Sequence, residues 1–480
     1  MTERRPATER AACRALAAAS VAFALAGCVN LAPDYQRPAA PVAQDYPPPP
    51  MPASTPASGV AAADIDWQRF FADERLKRLI ALALENSRDL RIAVLNIEQA
   101  RAAYDIRRAD AWPTVGVGFN AQREPGATGK PVNVYAVGVA VSSWELDLFG
   151  RIRNLSDAAL AQYFATAEAR KAVQTSLIAS VATTYVSALA DDELLRITKE
   201  TLASREDTLR LTKLRLDSGV SSELEYRLAE SLLESARATY AQAVRQRALD
   251  ENTLVQLVGR PLPPDLPAGL PLDASPFTTE LPAGLPSELL ERRPDIRSAE
   301  QNLRAANANI GAARAAFFPR IALTGNFGTA SSALSGLFES GSWAFTGTAQ
   351  ALETIFDAGR NQANLDVARV NREIAQAQYE RAIQTAFREV SDALAGRATL
   401  GEQLRAQIAQ ANAEAVRTRL SDVRFFNGAA SALDLLDARR SLFAAQQAVV
   451  QVRAAQVQNV VGLYRALGGG WTEPASAAQP

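Results

Sequence analysis

Arg108-Ala109-Asp110-Ala111-Trp112-Pro113-Thr114-Val115-Gly116-Val117-Gly118-Phe119-Asn120 has a counterpart later in the chain, Arg314-Ala315-Ala316-Phe317-Phe318-Pro319-Arg320-Ile321-Ala322-Leu323-Thr324-Gly325-Asn326. Each stretch is the end of a helical pattern, then an aromatic-Pro step, then a run of alternating apolar residues. The chain therefore carries one helix–strand unit twice. The spacing is far longer than a solenoid period, so these are two copies of a large unit rather than an array.

Working outward from the first stretch, Asp73 is a candidate cap. Leu76, Leu79, Ile80, Leu84, Leu90, Val94 and Ile97 then recur at helical spacing, which predicts one helix to about Ala111, stopped by Pro113. Beyond the proline, Val115, Val117 and Phe119 alternate with Thr114, Gly116, Gly118 and Asn120. A second run alternates Tyr135, Val137, Val139 and Val141 with Ala136, Gly138, Ala140 and Ser142. Both have period two, with a bulky apolar face opposite a small or polar one. After Gly150 a helical pattern runs to Asp217 with no Pro or Gly in it, with Val173, Leu177, Val181, Tyr185, Ala188 and Leu189 on one face. At 1.5 Å per residue it reaches about 100 Å, which suits a coiled-coil-like or helical-barrel element. Gly219 breaks it, and a helix returns from Ser222 to Leu257.

The second copy repeats this order. A helix from Asp295 to Phe317 ends at Pro319. One strand follows with Ile321, Leu323 and Phe327 on its apolar face, then a weaker one with Trp343 and Phe345. A long helix from Gly359 breaks at Gly428 and returns from Ser431 to Leu467. Leu216-Asp217-Ser218-Gly219 and Phe425-Phe426-Asn427-Gly428 are the corresponding hairpin tips. The expected layout is a first repeat over 61–258, a Pro-rich linker over 259–286, a second repeat over 287–467 and a loose tail over 468–480.

Residues 1–27 read as a signal peptide, with a basic start and a short apolar run ending in Leu25-Ala26-Gly27-Cys28. That box looks like a bacterial lipoprotein cleavage site, with Cys28 as the lipidated residue; by resemblance to known sorting rules, Val29 rather than Asp after it favours the outer membrane. Residues 28–60 are Pro-rich, with Pro47 to Pro50 in a row, and read as an extended tether. Net charge is −1, which gives no global field for nucleic acid. His is absent, and the two Cys, Cys13 and Cys28, are both N-terminal. A disulfide framework, a Cys/His zinc site and His-dependent catalysis are thereby excluded, and no cofactor or enzyme activity is expected. No later stretch approaches about 18 consecutive apolar residues, so no transmembrane helix is expected.

Strands with one apolar and one small or polar face suit a soluble sheet with a covered face, or a barrel with lipid outside and water inside. The lipoprotein box favours the second. Four strands leave two open edges, which hydrocarbon does not tolerate. Two chains would make a filled eight-stranded barrel, and three would make about twelve strands with room for a lumen.

The order of parts resembles the outer-membrane factors of tripartite efflux pumps, the TolC and OprM type, and is nearest to OprM-like lipoproteins. The residues that carry the resemblance are Leu25 to Cys28, Pro33-Asp34-Tyr35-Gln36-Arg37-Pro38, Trp144-Glu145-Leu146-Asp147-Leu148-Phe149-Gly150-Arg151, Leu290-Glu291-Arg292-Arg293-Pro294-Asp295-Ile296, Ala312 to Pro319, and Leu435-Leu436-Asp437-Ala438-Arg439-Arg440-Ser441-Leu442. The resemblance implies a mainly α chain with a small β part: a long α-helical barrel continued by a transmembrane β-barrel, twelve-stranded in a homotrimer. It implies a passive exit duct in the outer membrane, lipid-anchored and extending into the periplasm. Its partners would be a periplasmic adaptor and an inner-membrane transporter, usually of the resistance–nodulation–division type.

In that family the periplasmic tip closes like an iris. By resemblance Leu433, Asp437 and Arg440 fall on positions linked to closure, and Asp434 matches a second acidic position. Phe425 stands where the pattern has Tyr, so a hydroxyl is missing. Independently of the family, Asp434 and Asp437 are helical neighbours, six carboxylates in a trimer, unless Arg439, Arg440 or Arg424 neutralises them. The plainer alternative is a solvated helix face with local ion pairs. Arg292, Arg293 and Asp295 are read as a helix start rather than a catalytic group. The competing reading of the whole chain is a lipid-anchored coiled-coil protein of the envelope without a pore.

Overall fold

The computed structural model describes residues 30–48, 50–51, 61–125, 129–274, 277, 281–282 and 286–471. The signal segment, Cys28 and the last residues of the tail lie outside them. In chain order the elements are α1 (Trp67–Phe70), α2 (Glu74–Asn86), α3 (Arg88–Ala109), β1 (Thr114–Pro125), β2 (Pro131–Leu146), α4 (Arg151–Asp217), α5 (Glu223–Val258), α6 (Pro286–Arg292), α7 (Pro294–Ala315), β3 (Arg320–Ser331), β4 (Trp343–Leu352), α8 (Arg360–Phe426) and α9 (Ala432–Ala466). The chain is thus mainly helical with one small sheet, and the helix–strand–strand–helix–helix order occurs twice.

The expected single helix from Asp73 is in fact two. Asp73 caps α2, its carboxylate accepting from the Arg75 and Leu76 amides at 2.8 and 3.1 Å. Asn86 then turns its side chain back onto the Leu82 carbonyl, 2.8 Å away. Ser87 adopts ψ 130°, outside the helical range. Its hydroxyl accepts from the Leu90 amide, which starts α3. Apolar spacing ran on across a Ser that the backbone uses as a cap.

The chain divides into two compact units. The first comprises Met1–Ala39, Asn96–Ala167 and Ser298–Glu380. It holds the sheet, an antiparallel meander in the order β1-β2-β3-β4. Its helices meet through small residues: Ala158 and Ala161 of α4 against Ala305 of α7, and Ile310 of α7 against Leu365 and Ala368 of α8. Residues 30–38 lie along α7. Glu300, 4% exposed, accepts from Tyr35 Oη at 3.1 Å, from Arg37 Nε and Nη2 at 3.1 and 2.9 Å, and from Arg304 Nη2 at 3.0 Å. Asn307 donates to the Pro33 carbonyl and Arg314 to that of Leu31. The Pro-rich segment cannot pack on itself, and along this stretch it packs on a helix instead.

The second unit comprises Ala40–Leu95, Glu168–Arg297 and Arg381–Pro480. Val186, Ala190 and Ile197 of α4 pack on Phe443, Val450, Ala454 and Val457 of α9. An aromatic group closes one part of this core: Phe70 and Tyr464 stack at 4.0 Å, and the Tyr464 hydroxyl donates to the Ile65 carbonyl at 2.6 Å. Each such buried ring contributes about 1.5–3 kcal/mol. Buried Arg293 is tied to Asp295, Glu389 and the Ala466 carbonyl at 2.6, 2.9 and 3.0 Å. It therefore acts as a structural junction, in line with the reading of this motif as a helix start. Among the described residues one helix, α4, has an apolar stretch long enough to cross a bilayer, and half of that stretch is buried within the chain, as in a core helix.

Candidate pore wall and hairpin-tip latch

The strand registers sort the sheet residues into two faces. Val117 pairs with Val139, Val139 with Phe327, and Phe327 with Phe345. Directly beside that row, on the other face, Gly118 pairs with Gly138, Gly138 with Gly328, and Gly328 with Ala344. The apolar row is bare in the single chain, with Val117 81% and Phe345 76% exposed. Among the described residues no helix covers this row, unlike a soluble sheet with a covered face. The strands are 12, 16, 12 and 10 residues long, enough to cross a bilayer at a tilt. β1 and β4 each have one edge without a strand partner among the described residues.

On the small-residue face the β2 and β3 backbones come very close. A Cβ built on Gly138 would sit 2.7 Å from Gly328 Cα, and one built on Gly328 would sit 2.5 Å from Gly138 Cα. Only glycine fits at either place. Along this row Gly118, Gly138 and Gly328 carry no Cβ, so the small-residue face is thinnest there.

A bulge between Val141 and Trp144, with Ser143 at φ 30°, shifts the β2 register by one residue. It returns Trp144 and Leu146 to the apolar face, opposite Leu323 and Ile321. The Trp144 indole donates to the Ala111 carbonyl at 3.2 Å. Glu145 takes a two-pronged bond from Arg151, 2.8 and 2.7 Å, and a third from Arg320 at 2.7 Å. The motif from Trp144 to Arg151 is therefore the corner where a strand becomes a long helix.

The hairpin tips lie in the second unit. Gly219 and Gly428 turn the two hairpins at φ 75° and 72°. Ser431 caps α9 in a reciprocal box: its hydroxyl accepts from the Asp434 amide at 3.2 Å, and Asp434 Oδ2 accepts from the Ser431 amide at 3.1 Å and from its hydroxyl at 2.8 Å. These bonds hold the Asp434 carboxyl below its ordinary range. Asp434 is thus engaged in the cap. Asp437 instead faces two guanidinium groups, Arg417 of α8 and Arg440 of its own helix, each at 2.6 Å. Arg417 first, and Arg440 with it, outweighs desolvation and lowers its pKa. Of the three arginines expected to neutralise the pair, Arg440 bonds Asp437 directly, and the charge of Arg424 adds to the lowering at Asp434. Arg439 turns to Asp422 and Thr208, at 2.8 and 2.6 Å, and Arg424 donates to the Ala429 carbonyl.

Phe425 packs edge-on to Phe426, with the Arg215 guanidinium 4.8 Å over its ring. An aromatic face can hold a cation without a hydroxyl. Leu433 is 60% exposed. Phe425 also lines a cavity of about 290 Å³ with Leu211, Leu214, Val220, Leu435 and Leu436. The sequence reading missed Arg417. Arg417 and Asp437 are equidistant along the chain from the turn at Asn427, so hairpin geometry alone brings them opposite each other.

Comparison with known proteins agrees with this geometry. The model of the Outer membrane efflux protein family matches residues 79–260 and 285–469. The antibiotic efflux pump outer membrane protein ArpC of Pseudomonas putida is 46% identical over 472 residues, 96% of this chain and 97% of that protein. The toluene efflux pump outer membrane protein TtgC of Pseudomonas putida gives the same identity and coverage. Among solved structures, the open state of the Neisseria gonorrhoeae MtrE outer membrane channel superposes with a TM-score of 0.84 at 42% identity, over 92% of this chain and 98% of that one. With a bare apolar sheet face, a glycine-lined opposite face and two long helical hairpins, the chain belongs to the outer membrane efflux protein family and is an efflux channel of the outer membrane.

Proposed function

We propose that three copies join edge to edge, β4 of each to β1 of the next, and form a twelve-stranded barrel through which solutes leave the periplasm. The observation that carries this reading is the sheet itself: among the described residues, an uncovered apolar face and two free edges in one chain. Lipid covers such a face at no cost, whereas a free edge in hydrocarbon costs several kcal/mol per unpaired group. Cys28 carries the lipid, and the segment that follows it holds the anchor to the body through Glu300. The duct is passive. A periplasmic adaptor and a transporter of the resistance–nodulation–division type supply selection and energy. The names of ArpC and TtgC support antibiotics and aromatic solvents as the class of cargo.

At the tip, Asp437 with Arg417 and Arg440 acts as a latch across the α8–α9 hairpin. Phe425, Leu433 and Asp434 shape the constriction beside it, Asp434 by fixing the start of α9. The test is conductance in planar bilayers. Asp437→Ala with Arg440→Ala, and Arg417→Ala separately, should raise the closed-state conductance of the trimer. Unchanged conductance removes these residues from the gate. A detergent extract that is stably monomeric removes the trimer, and release from membranes by delipidation alone would favour the stalk without a pore.

A further inference from the structure

The internal repeat fixes the register at the seam between two copies. This rests on the proposed closure of β4 on β1 of a neighbour and goes beyond it. Pro113 and Pro319 precede β1 and β3 at the same place, so Thr114 corresponds to Arg320 and Asn120 to Asn326. Thr114 pairs with Ser142, and Arg320 pairs with Leu352. Ser142 therefore corresponds to Leu352, Val141 to Ala351, and Ala140 to Gln350. Inside the chain, Val141 pairs with Gly325 and Ala140 with Asn326. Gly325 corresponds to Phe119. We infer that Ala351 of one copy lies opposite Phe119 of a second copy, and Gln350 opposite Asn120.

Two prolines and the backbone registers alone set this pairing, so side-chain chemistry is an independent check. Ala351 lies on the face that carries Trp343, Phe345 and Gly347, and Phe119 on the face that carries Val115 and Val117. The seam keeps the apolar face continuous. Gln350, Thr348 and Thr346 meet Asn120 and Gln122 on the polar face. A slip of one residue would put Phe119 among the threonines. The ends of the two edges agree as well. Ile355 and Phe356, just beyond β4, are 98% and 87% exposed, and Trp112, just before β1, is 73% exposed. In this antiparallel register the two bare clusters come to the same end of the seam.

The seam differs from the internal β2–β3 contact in one respect. The positions equivalent to Gly138 and Gly328 are Thr348 and Gln122, and both carry a Cβ. The close approach seen within the chain is not available there, so the seam holds the ordinary strand spacing of about 4.8 Å.

Disulfide trapping in the full-length membrane protein tests the register. The sequence has two cysteines, Cys13 and Cys28, both N-terminal to the folded body. In one chain β1 and β4 are three strand spacings apart, roughly 14 Å, beyond the 7 Å limit for a disulfide. Any bond between them therefore joins two copies. Of two successive antiparallel pairs one is the narrow, non-hydrogen-bonded kind, so both are made: Phe119→Cys with Ala351→Cys, and Asn120→Cys with Gln350→Cys. At least one should give a reducible covalent oligomer on denaturing gels, about tenfold above Ala351→Cys with Val117→Cys or with Ala121→Cys. Single-cysteine variants that still run as heat-labile oligomers establish folding. Stronger trapping in a shifted pair, or no trapping in any pair of an intact oligomer, overturns the register and leaves the trimer standing. Monomeric wild-type protein overturns both.

Discussion

Glu300→Gln is expected to free the N-terminal segment from α7 without unfolding the body. The carboxylate of Glu300 is 4% exposed and collects four hydrogen bonds, from Tyr35, Arg37 and Arg304. Gln keeps the shape and one acceptor oxygen, loses the charge, and turns an amide toward a guanidinium. A hydrogen bond to a charged partner contributes about 1.5–3 kcal/mol. Arg37 and Arg304 are each 44% exposed, so solvent screening holds their share near the bottom of that range. A net loss of about 2–3 kcal/mol for the docking of residues 30–38 follows, or roughly 30–150-fold in the opening equilibrium. The assay is chymotryptic cleavage after Tyr35, read by mass spectrometry under conditions where cutting is slow relative to reclosing, so that the rate follows the open population. The heat-dissociation temperature of the oligomer should move little in the same variant. A Tyr35 cleavage rate within twofold of wild type would refute the reasoning (the threshold is about 0.4 kcal/mol). The pH dependence supplies a second check. Burial works to raise the Glu300 pKa, and the bonds from Arg37 and Arg304 outweigh it, leaving it below 4.5. Its contribution is complete above the unfolded value and is lost as pH falls through the lowered folded value. Wild type and variant should therefore converge only in strong acid.

Two further outcomes are expected. Gly138→Ala places a Cβ 2.7 Å from Gly328 Cα, so it should destabilise the barrel by about 1–3 kcal/mol, read as earlier heat dissociation of the oligomer; an unchanged transition would show that the strands separate without cost. Asp191, buried on α4, has its pKa raised by desolvation first and by its hydrogen bond to Asp250 of α5 second, with Arg247 opposing and Asp192 adding repulsion. A raised carboxyl favours folding while it stays protonated, and that advantage is lost as pH climbs from the ordinary carboxylate range through the raised value. Asp191→Asn should therefore raise the apparent melting temperature more at about pH 8 than at about pH 5; equal shifts at both would sink this account.

The long elements were legible in the sequence because their signals are local and periodic. Gly219, Gly428, Ser222 and Ser431 mark the hairpin ends by backbone chemistry that needs no tertiary context. The strands were legible in kind but not in extent. β2 runs from Pro131 to Leu146, yet its alternation is broken by the bulge at Ser143, and no period-two pattern survives an inserted residue. Ser87 misled in the opposite way, since a cap inside a continuous apolar spacing looks like one more helical residue. Arg417 was missed because a motif reads along the chain, while the partner of Asp437 lies across a turn.

The two carboxylates at the tip show where sequence reasoning stops. Three residues apart on one helix face, Asp434 and Asp437 read as an equivalent pair, six charges in a closed ring. In the structure they are not equivalent. Asp434 is bound into the start of its own helix by Ser431, so it is tied to local backbone and stays with α9 whatever the rest of the tip does. Asp437 bridges α8 and α9, so its bonds depend on how those helices lie against each other. Only a contact that differs between two arrangements can bias their equilibrium. The proposed gate role therefore falls to Asp437 and its two arginines, and an Asp434 substitution should act through the stability of the hairpin end rather than through the proposed latch.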